Sequence, residues 1–137
     1  MFVEVTNENI ELLEDFISSM GNSNESFRYY NKRTISSVEN HLVTILLIVN
    51  EIPVGYGHLD RDGDKIWLGI AISENYRGKG GGNLIMDYLM TQAYKLNLSK
   101  INLSVDRDNY PAIKLYKKFG FSQIDEVNDV LFLASNL

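Results

Sequence analysis

The run Arg77-Gly78-Lys79-Gly80-Gly81-Gly82 constrains this chain more than any other. Four glycines in five positions stand between an apolar run, Ile66 to Ile72, and a helix-like run that starts near Asn83. The segment therefore joins the end of a strand to the start of a helix. Successive N–H groups at a helix N-terminus, clear of Cβ atoms and aided by the helix dipole, make a site for phosphate or another anion. Arg77 and Lys79 add positive charge at the same place. A plain flexible turn accounts for the same glycines, so the rest of the chain has to decide between the two.

At 137 residues the chain is expected to form one domain with one core and room for one site. Its longest apolar run, Ile45 to Val49, is far too short to span a bilayer, and a soluble protein with no membrane partner is expected. Met1 to Val5 alternates like a strand and lacks the basic start and apolar core of a secretory signal, which leads us to expect a cytoplasmic location. The absence of cysteine removes disulfides, thiolate nucleophiles and thiolate metal sites together, in keeping with a reducing compartment. Two histidines, His41 and His58, leave little for zinc, so no metal is expected. A net charge of −5 argues against broad nucleic-acid binding, which depends on basic surface.

Taken in order, residues 2 to 5 read as a strand, and Thr6 or Asn7 can cap a helix carrying Ile10, Leu13, Phe16, Ile17 and Met20 at helical spacing. Gly21 to Asn24 stops that helix. The segment Ser26 to Arg33 mixes aromatic and basic residues as a loop or short helix, and a short helical piece follows near Ser36 to Asn40. Leu42 to Val49 suits a central strand covered on both faces. Asn50-Glu51 is a tight turn, and Pro53 to Leu59 and Lys65 to Ile72 are strands joined through an Asp62-Gly63 hairpin signal. Beyond the glycine run, Leu84, Ile85, Tyr88, Leu89, Gln92, Ala93 and Leu96 mark an amphipathic helix, and Ile101 to Val105 alternates as a strand. Strand, glycine loop, helix and strand make a right-handed βαβ crossover with parallel strands. A capped helix with an early Pro111 and inward Ala112, Leu115, Tyr116 and Phe119 ends at Gly120, before a hairpin of Phe121 to Val127 and Val130 to Leu133.

Two sets of residues in this order resemble the GNAT superfamily of acyl-coenzyme A dependent N-acetyltransferases. Arg77, Gly80 and Gly82 meet the family's pyrophosphate motif, Q/R-x-x-G-x-G/A, just after the strand end Ile70-Ala71-Ile72. Asn109, Ala112, Leu115-Tyr116 and Gly120-Phe121 meet its later motif. The resemblance covers Lys65 to Phe121. It implies an α/β (α+β) fold with a mixed, mostly antiparallel sheet of about seven strands, the βαβ crossover for coenzyme, and flanking helices. It also implies acetyl-CoA as cosubstrate, gripped by backbone from Arg77 through Gly78, Lys79, Gly80, Gly81 and Gly82. The edge Ile70, Ala71 and Ile72 would pair with pantetheine as an extra strand does, and a backbone N–H there would polarise the thioester carbonyl. Asn109 would add a coenzyme contact, although a helix cap explains it equally well.

The resemblance makes Tyr116 the general acid for the departing thiolate, whereas its spacing alone also fits a core aromatic on a helix face. The general base is not marked by spacing: His58, Glu74, Asp60 and Asp106 are the acceptors in view, with Asp106 near the place where the resemblance implies that the two parallel strands part. His58 fits a satisfied sheet histidine better than a catalyst, Asp60 and Glu74 fit turn or surface carboxylates, and Asp106 also fits a cap of the next helix. The resemblance implies that Ser26 to Arg33 covers the acceptor pocket, where Phe27, Tyr29 and Tyr30 suit stacking and Arg28, Lys32 and Arg33 suit an anionic group, although aromatic packing under a charged surface explains them at least as well. These point to a small-molecule primary amine such as an amino sugar, a nucleotide-linked sugar or an amino acid. Trp67 is a further pocket wall or a core residue. A protein N-terminus or lysine as acceptor, and a non-catalytic acyl-CoA-binding module, stay open as alternatives. A dinucleotide fold or P-loop is disfavoured because Asn83 stands where a third glycine belongs and no Gly-Lys-Ser/Thr occurs. A homodimer is expected on the general commonness of symmetric pairs.

Overall fold

Reversals in this chain are made by residues that tolerate left-handed backbone. Asn50 and Glu51 (φ 52° and 67°) and Asn128 and Asp129 (φ 50° and 65°) form two-residue turns, whose twist matches that of the strands they join. The computed structural model describes residues 1–20 and 41–137. The segments 26–33 and 36–40 read from the sequence lie outside the described residues, as do Phe27, Arg28, Tyr29 and Tyr30.

Strand β1 (Phe2–Glu4) leads to a 3-10 turn, opened by a reciprocal cap between Thr6 and Asn9, and then to helix α1 (Ile10–Ser18). Then come β2 (His41–Val49), β3 (Ile52–Asp62) and β4 (Lys65–Ile72), followed by α2 (Gly81–Lys95), β5 (Lys100–Asp106), α3 (Tyr110–Lys118), β6 (Ser122–Val127) and β7 (Val130–Asn136). The sheet order is β1-β2-β3-β4-β5-β7-β6. Every neighbour is antiparallel except β4 and β5, the parallel pair that α2 connects. This is the mixed, mostly antiparallel seven-stranded sheet with one crossover that the sequence predicts.

Some boundaries move. Strand β3 extends past the expected end at Leu59 to Asp62, which pairs with Lys65, so the hairpin loop is Gly63-Asp64, with Gly63 at φ 63°, and not the longer Arg61 to Asp64. Helix α2 starts at Gly81, two residues before the expected Asn83, because Gly80 at φ 83° makes the break one residue earlier. Packing, rather than propensity, keeps Gly81 and Gly82 helical. At its far end α2 closes with Asn97 at φ 57°, with Leu98 N–H donating to Ala93 O (3.1 Å) and Asn97 N–H to Tyr94 O (3.1 Å), the paired bonds of a Schellman cap.

The sheet buries a different core on each face. Against α2 and α3 lie Ile45, Leu59, Leu68, Ile85, Leu89, Leu103 and Leu133, with Tyr116 and Phe121 at one end. On the opposite face Leu13 and Phe16 of α1 pack on Leu46, Tyr56 and Ala71. Helix α2 approaches β3 over two bare positions. A Cβ on Gly57 would fall 2.6 Å from Ile85 Cγ2 and 3.0 Å from Leu89 Cδ1, and one on Gly55 would fall 2.7 Å from the flexible Ile85 Cδ1. Cγ2 is held close to the helix backbone and cannot swing away, whereas Cδ1 can. Gly57→Ala should therefore destabilise the fold by about 1–3 kcal/mol, as overpacking does, and by more than Gly55→Ala. Urea denaturation of the two variants checks the order.

Candidate active site

The two parallel strands touch at one point and then part. Trp67 of β4 and Asn102 of β5 are the Cα partners of this pair. Beyond them β4 continues through Ile72 paired only with β3, and β5 continues through Asp106 paired with β7. A cavity of about 1010 Å³ occupies the split, with Leu68 to Ile72 on one side and Ser104 to Asp106 on the other. The backbone of β4 along this stretch is a free edge inside a concave site, the arrangement that accepts an extended ligand as an added strand.

The glycine run closes one end of the cavity. Gly78 and Gly80 have φ of 75° and 83° and face open space, so conformation is what requires glycine at these two positions. Gly81 and Gly82 instead sit close to their neighbours: a Cβ on Gly81 would lie 3.3 Å from Ile72 Cδ1 and the Tyr76 ring, and one on Gly82 would lie 2.9 Å from the flexible end of Leu115, Cδ2. The first bond within α2 runs from Leu84 N–H to Gly80 O (3.3 Å), and no side chain caps the helix. The N–H groups of Gly81, Gly82 and Asn83 thus point out of a 15-residue helix at the cavity with the positive dipole end behind them. Of the residues expected to grip the coenzyme, Arg77, Gly78, Gly80, Gly81 and Gly82 line the cavity. Lys79 does not: its ammonium lies 5.4 Å from the centre of the Tyr76 ring.

Tyr116 is 6% exposed and borders the cavity from α3. The helix end explains its placement. Gly120 at φ 93° lets Phe121 N–H donate to Tyr116 O (3.1 Å) and Gly120 N–H to Lys117 O (3.1 Å), another Schellman cap. The Phe121 ring packs 6.2 Å from the Tyr116 ring. At the other end Asn109 caps α3, accepting from Ala112 N–H at 3.4 Å, and also lines the cavity. The later sequence motif is thus a pair of helix caps that fixes where Tyr116 stands.

Strand parity divides the site in two. Side chains alternate across a sheet, and directly paired residues share a face. Ile70 and Ile72 pair with Gly57 and Gly55, on the α2 side, where Tyr116 also lies. His58 and Asp60 pair with Gly69 and Trp67 and share the opposite face with Tyr56. Asn102, the partner of Trp67, puts Ser104 and Asp106 on that face too, and the Trp67 and Phe132 rings meet there edge to face at 6.2 Å. The cavity passes between β4 and β5 and joins the two sides, with His58, Asp60, Asp106 and Trp67 all on its wall.

Several of these residues read differently in the sequence. Asp60, expected in a turn or on the surface, is 9% exposed and lines the cavity, because β3 runs further than its apolar core suggests. Phe132, Ser104, Asp62 and Asp108 also line it and carry no sequence signal, since only pairing across the sheet brings them there. Glu74 is exposed and lies off the cavity wall.

Comparison with known proteins agrees with this geometry. The model of the acetyltransferase (GNAT) family matches residues 9–121, and the chain belongs to that family. A spermidine N(1)-acetyltransferase from Escherichia coli (strain K12) is 43% identical over 68 residues, 47% of this chain and 35% of that one. The uncharacterized N-acetyltransferase YobR of Bacillus subtilis (strain 168) is 31% identical over 100 residues, 73% of this chain and 34% of that one. The chain thus spans about a third of the length of these relatives. The crystal structure of PaiA N-acetyltransferase from Thermoplasma acidophilum in complex with coenzyme A shares the fold at TM-score 0.80 and 14% identity, over 100% of this chain and 98% of that one. No helix among the described residues is long and apolar enough to cross a membrane, and no group of potential metal ligands occurs among them.

Burial holds the Tyr116 phenol above its ordinary value of 10.0, because the phenolate would lose solvation. The sign for stability follows. Below about pH 10 the group is protonated in folded and unfolded chains alike, and above it the unfolded chain ionises first, so stability falls as pH rises. Tyr116→Phe should remove that contribution: its urea midpoint should drop less than the wild type's between about pH 9 and pH 11.

Proposed function

We propose that this chain transfers an acetyl group from acetyl-CoA to a primary amine of a small molecule by direct attack within a ternary complex. The observation that carries this reading is the split between β4 and β5, set against a bare helix N-terminus with Tyr116 beside it in one cavity. The pyrophosphate suits the N–H groups of Gly81, Gly82 and Asn83 and the Arg77 charge. Pantetheine suits the free edge from Ile70 to Ile72, which leaves the thioester at the parting of the strands. A backbone N–H on that edge would stabilise the oxyanion of the tetrahedral intermediate.

Tyr116 serves the leaving sulfur. Its phenol stays neutral throughout the physiological range and acts as a hydrogen-bond donor to the developing thiolate. Because a buried phenol releases its proton less readily than an ordinary one, transfer to sulfur is coupled to replacement of that proton from the new amide nitrogen.

For the acceptor, the expectation of an anionic group rests on Arg28, Lys32 and Arg33, outside the described residues. Within them the cavity wall carries Asp60, Asp62, Asp106 and Asp108, which favours a cationic amine. The relatives named for spermidine acetylation support the same class.

The test is thiol release from acetyl-CoA with spermidine, glucosamine 6-phosphate, free amino acids and an alanine-initiated peptide. Spermidine should turn over fastest. The peptide as best substrate would favour a protein acceptor, and tight acetyl-CoA binding without turnover on any amine would make the chain a binding module. Tyr116→Phe should lower kcat about 10- to 100-fold, the loss of one hydrogen bond to a charged atom, with coenzyme affinity unchanged. Arg77→Ala should instead raise the Kd for coenzyme A about tenfold or more, as read by calorimetry.

A further inference from the structure

We propose that His58 is the general base of this site, reached through a window that Gly69 leaves in β4 and anchored at Nδ1 by Tyr56. The proposal rests on the transferase reading above. His58 is 2% exposed, yet it lies on the cavity wall. It stands directly opposite Gly69 across the β3–β4 pair. A Cβ on Gly69 would fall 2.6 Å from both Cε1 and Nε2 of the imidazole, so the ring occupies the space that any other residue would fill. The ring therefore leans from β3 across the outer face of β4, and its Nε2 edge reaches toward the split. Gly69 is two residues past Trp67, where β4 and β5 last pair, and one before Ile70. That puts the imidazole edge beside the stretch of β4 proposed to hold the thioester, on the face of the sheet that also carries Asp60 and Asp106.

The other ring nitrogen is fixed. Nδ1 lies 2.7 Å from the Tyr56 hydroxyl in a buried hydrogen bond. Tyr56 is itself held by stacking on Phe16 of α1, with ring centres 6.2 Å apart. The Tyr56 hydroxyl can donate to Nδ1 or accept from it, and the base role uses the tautomer in which Nδ1–H donates to the Tyr56 oxygen and Nε2 holds the lone pair. The titratable groups in contact with the ring among the described residues are His41 of β2, with ring centres 4.6 Å apart, and Tyr56 of β3, while Asp60 of β3 and Asp106 of β5 lie on the same face and the same cavity wall. Strand β4 offers no charge there. Asp60 and Asp106 favour a cationic guest, so the acceptor enters as an ammonium ion and must lose a proton before it can attack.

The protons balance as follows. The ammonium gives one proton to Nε2, and the freed lone pair forms the C–N bond as the carbonyl π pair moves to oxygen. The oxyanion collapses, the C–S bond breaks, and sulfur takes the Tyr116 proton while the nitrogen's second proton restores the phenol. His58 then releases its proton to solvent. In these roles His58 is catalytic, and Tyr56 and Gly69 are positioning residues.

Steady-state thiol release with acetyl-CoA and the amine of the panel that turns over fastest, followed across pH, tests the idea. The wild type should lose kcat/KM on the acid side in the range where imidazoles titrate. His58→Gln should lower kcat/KM at least about 100-fold, abolish that acid limb and keep wild-type coenzyme A affinity. Gly69→Ala, which pushes the ring aside, should lower kcat with the Kd for coenzyme A unchanged. Tyr56→Phe should fold, bind coenzyme A and shift the acid limb. Nitrogen-15 spectra of the wild-type imidazoles, assigned with a His41→Gln variant, add a readout that does not depend on His58→Gln folding. They should show Nδ1 of His58 protonated and Nε2 bare. A protonated Nε2 in the neutral ring, or a His58→Gln enzyme with its rate within threefold and its acid limb intact, overturns the proposal and leaves the transferase reading standing. A wild type that turns over none of the amines overturns both.

Discussion

Everything in this site depends on one failure of pairing. Parallel strands β4 and β5 meet at Trp67 and Asn102 and then separate, since β4 stays with β3 and β5 stays with β7. An unpaired strand edge within a sheet would ordinarily cost the hydrogen bonds of its N–H and C=O groups. Here it borders a cavity, so those groups are available to a ligand that can supply a strand of its own. The same parting opens a passage between the two faces of the sheet, so that groups on one side can meet a molecule held on the other.

The residues around the split are held by backbone devices more than by side-chain contacts. Gly78 and Gly80 turn the chain through left-handed backbone, and Gly81 and Gly82 let α2 come close to Ile72 and Leu115. Gly55 and Gly57 seat the same helix on β3. Tyr116 is set by the caps at both ends of α3, Asn109 and Gly120. Glycine thus serves two separate needs in this chain, conformation and close approach, and a substitution disturbs each differently.

The glycine-lined helix start and the caps of α3 were legible because their chemistry is local. Exposed consecutive N–H groups need glycines at fixed spacing, and a capped nine-residue helix needs Asn109 and Gly120 at its ends, so both leave marks along the chain. The cavity wall on the opposite face of the sheet left almost none. His58, Asp60, Trp67, Phe132 and Asp106 come from four strands, and each of them alone fits a sheet, turn or surface residue. Asp60 was the clearest misreading, since its burial follows from the length of β3 and the pairing with Trp67.

The sequence by itself determined the order of elements, the crossover, the glycine-lined helix start and the resemblance to a family of acyl-coenzyme A dependent enzymes, all of which rest on periodicity and short-range backbone chemistry. Tertiary structure alone decided which side chains face the split and from which side. Residues share a face through register, and register is a property of two strands at once; no single stretch of sequence contains it. The bare position at Gly69 shows the difference. Within its strand it is an unremarked glycine, and only the pairing with His58 reveals what its missing side chain makes room for.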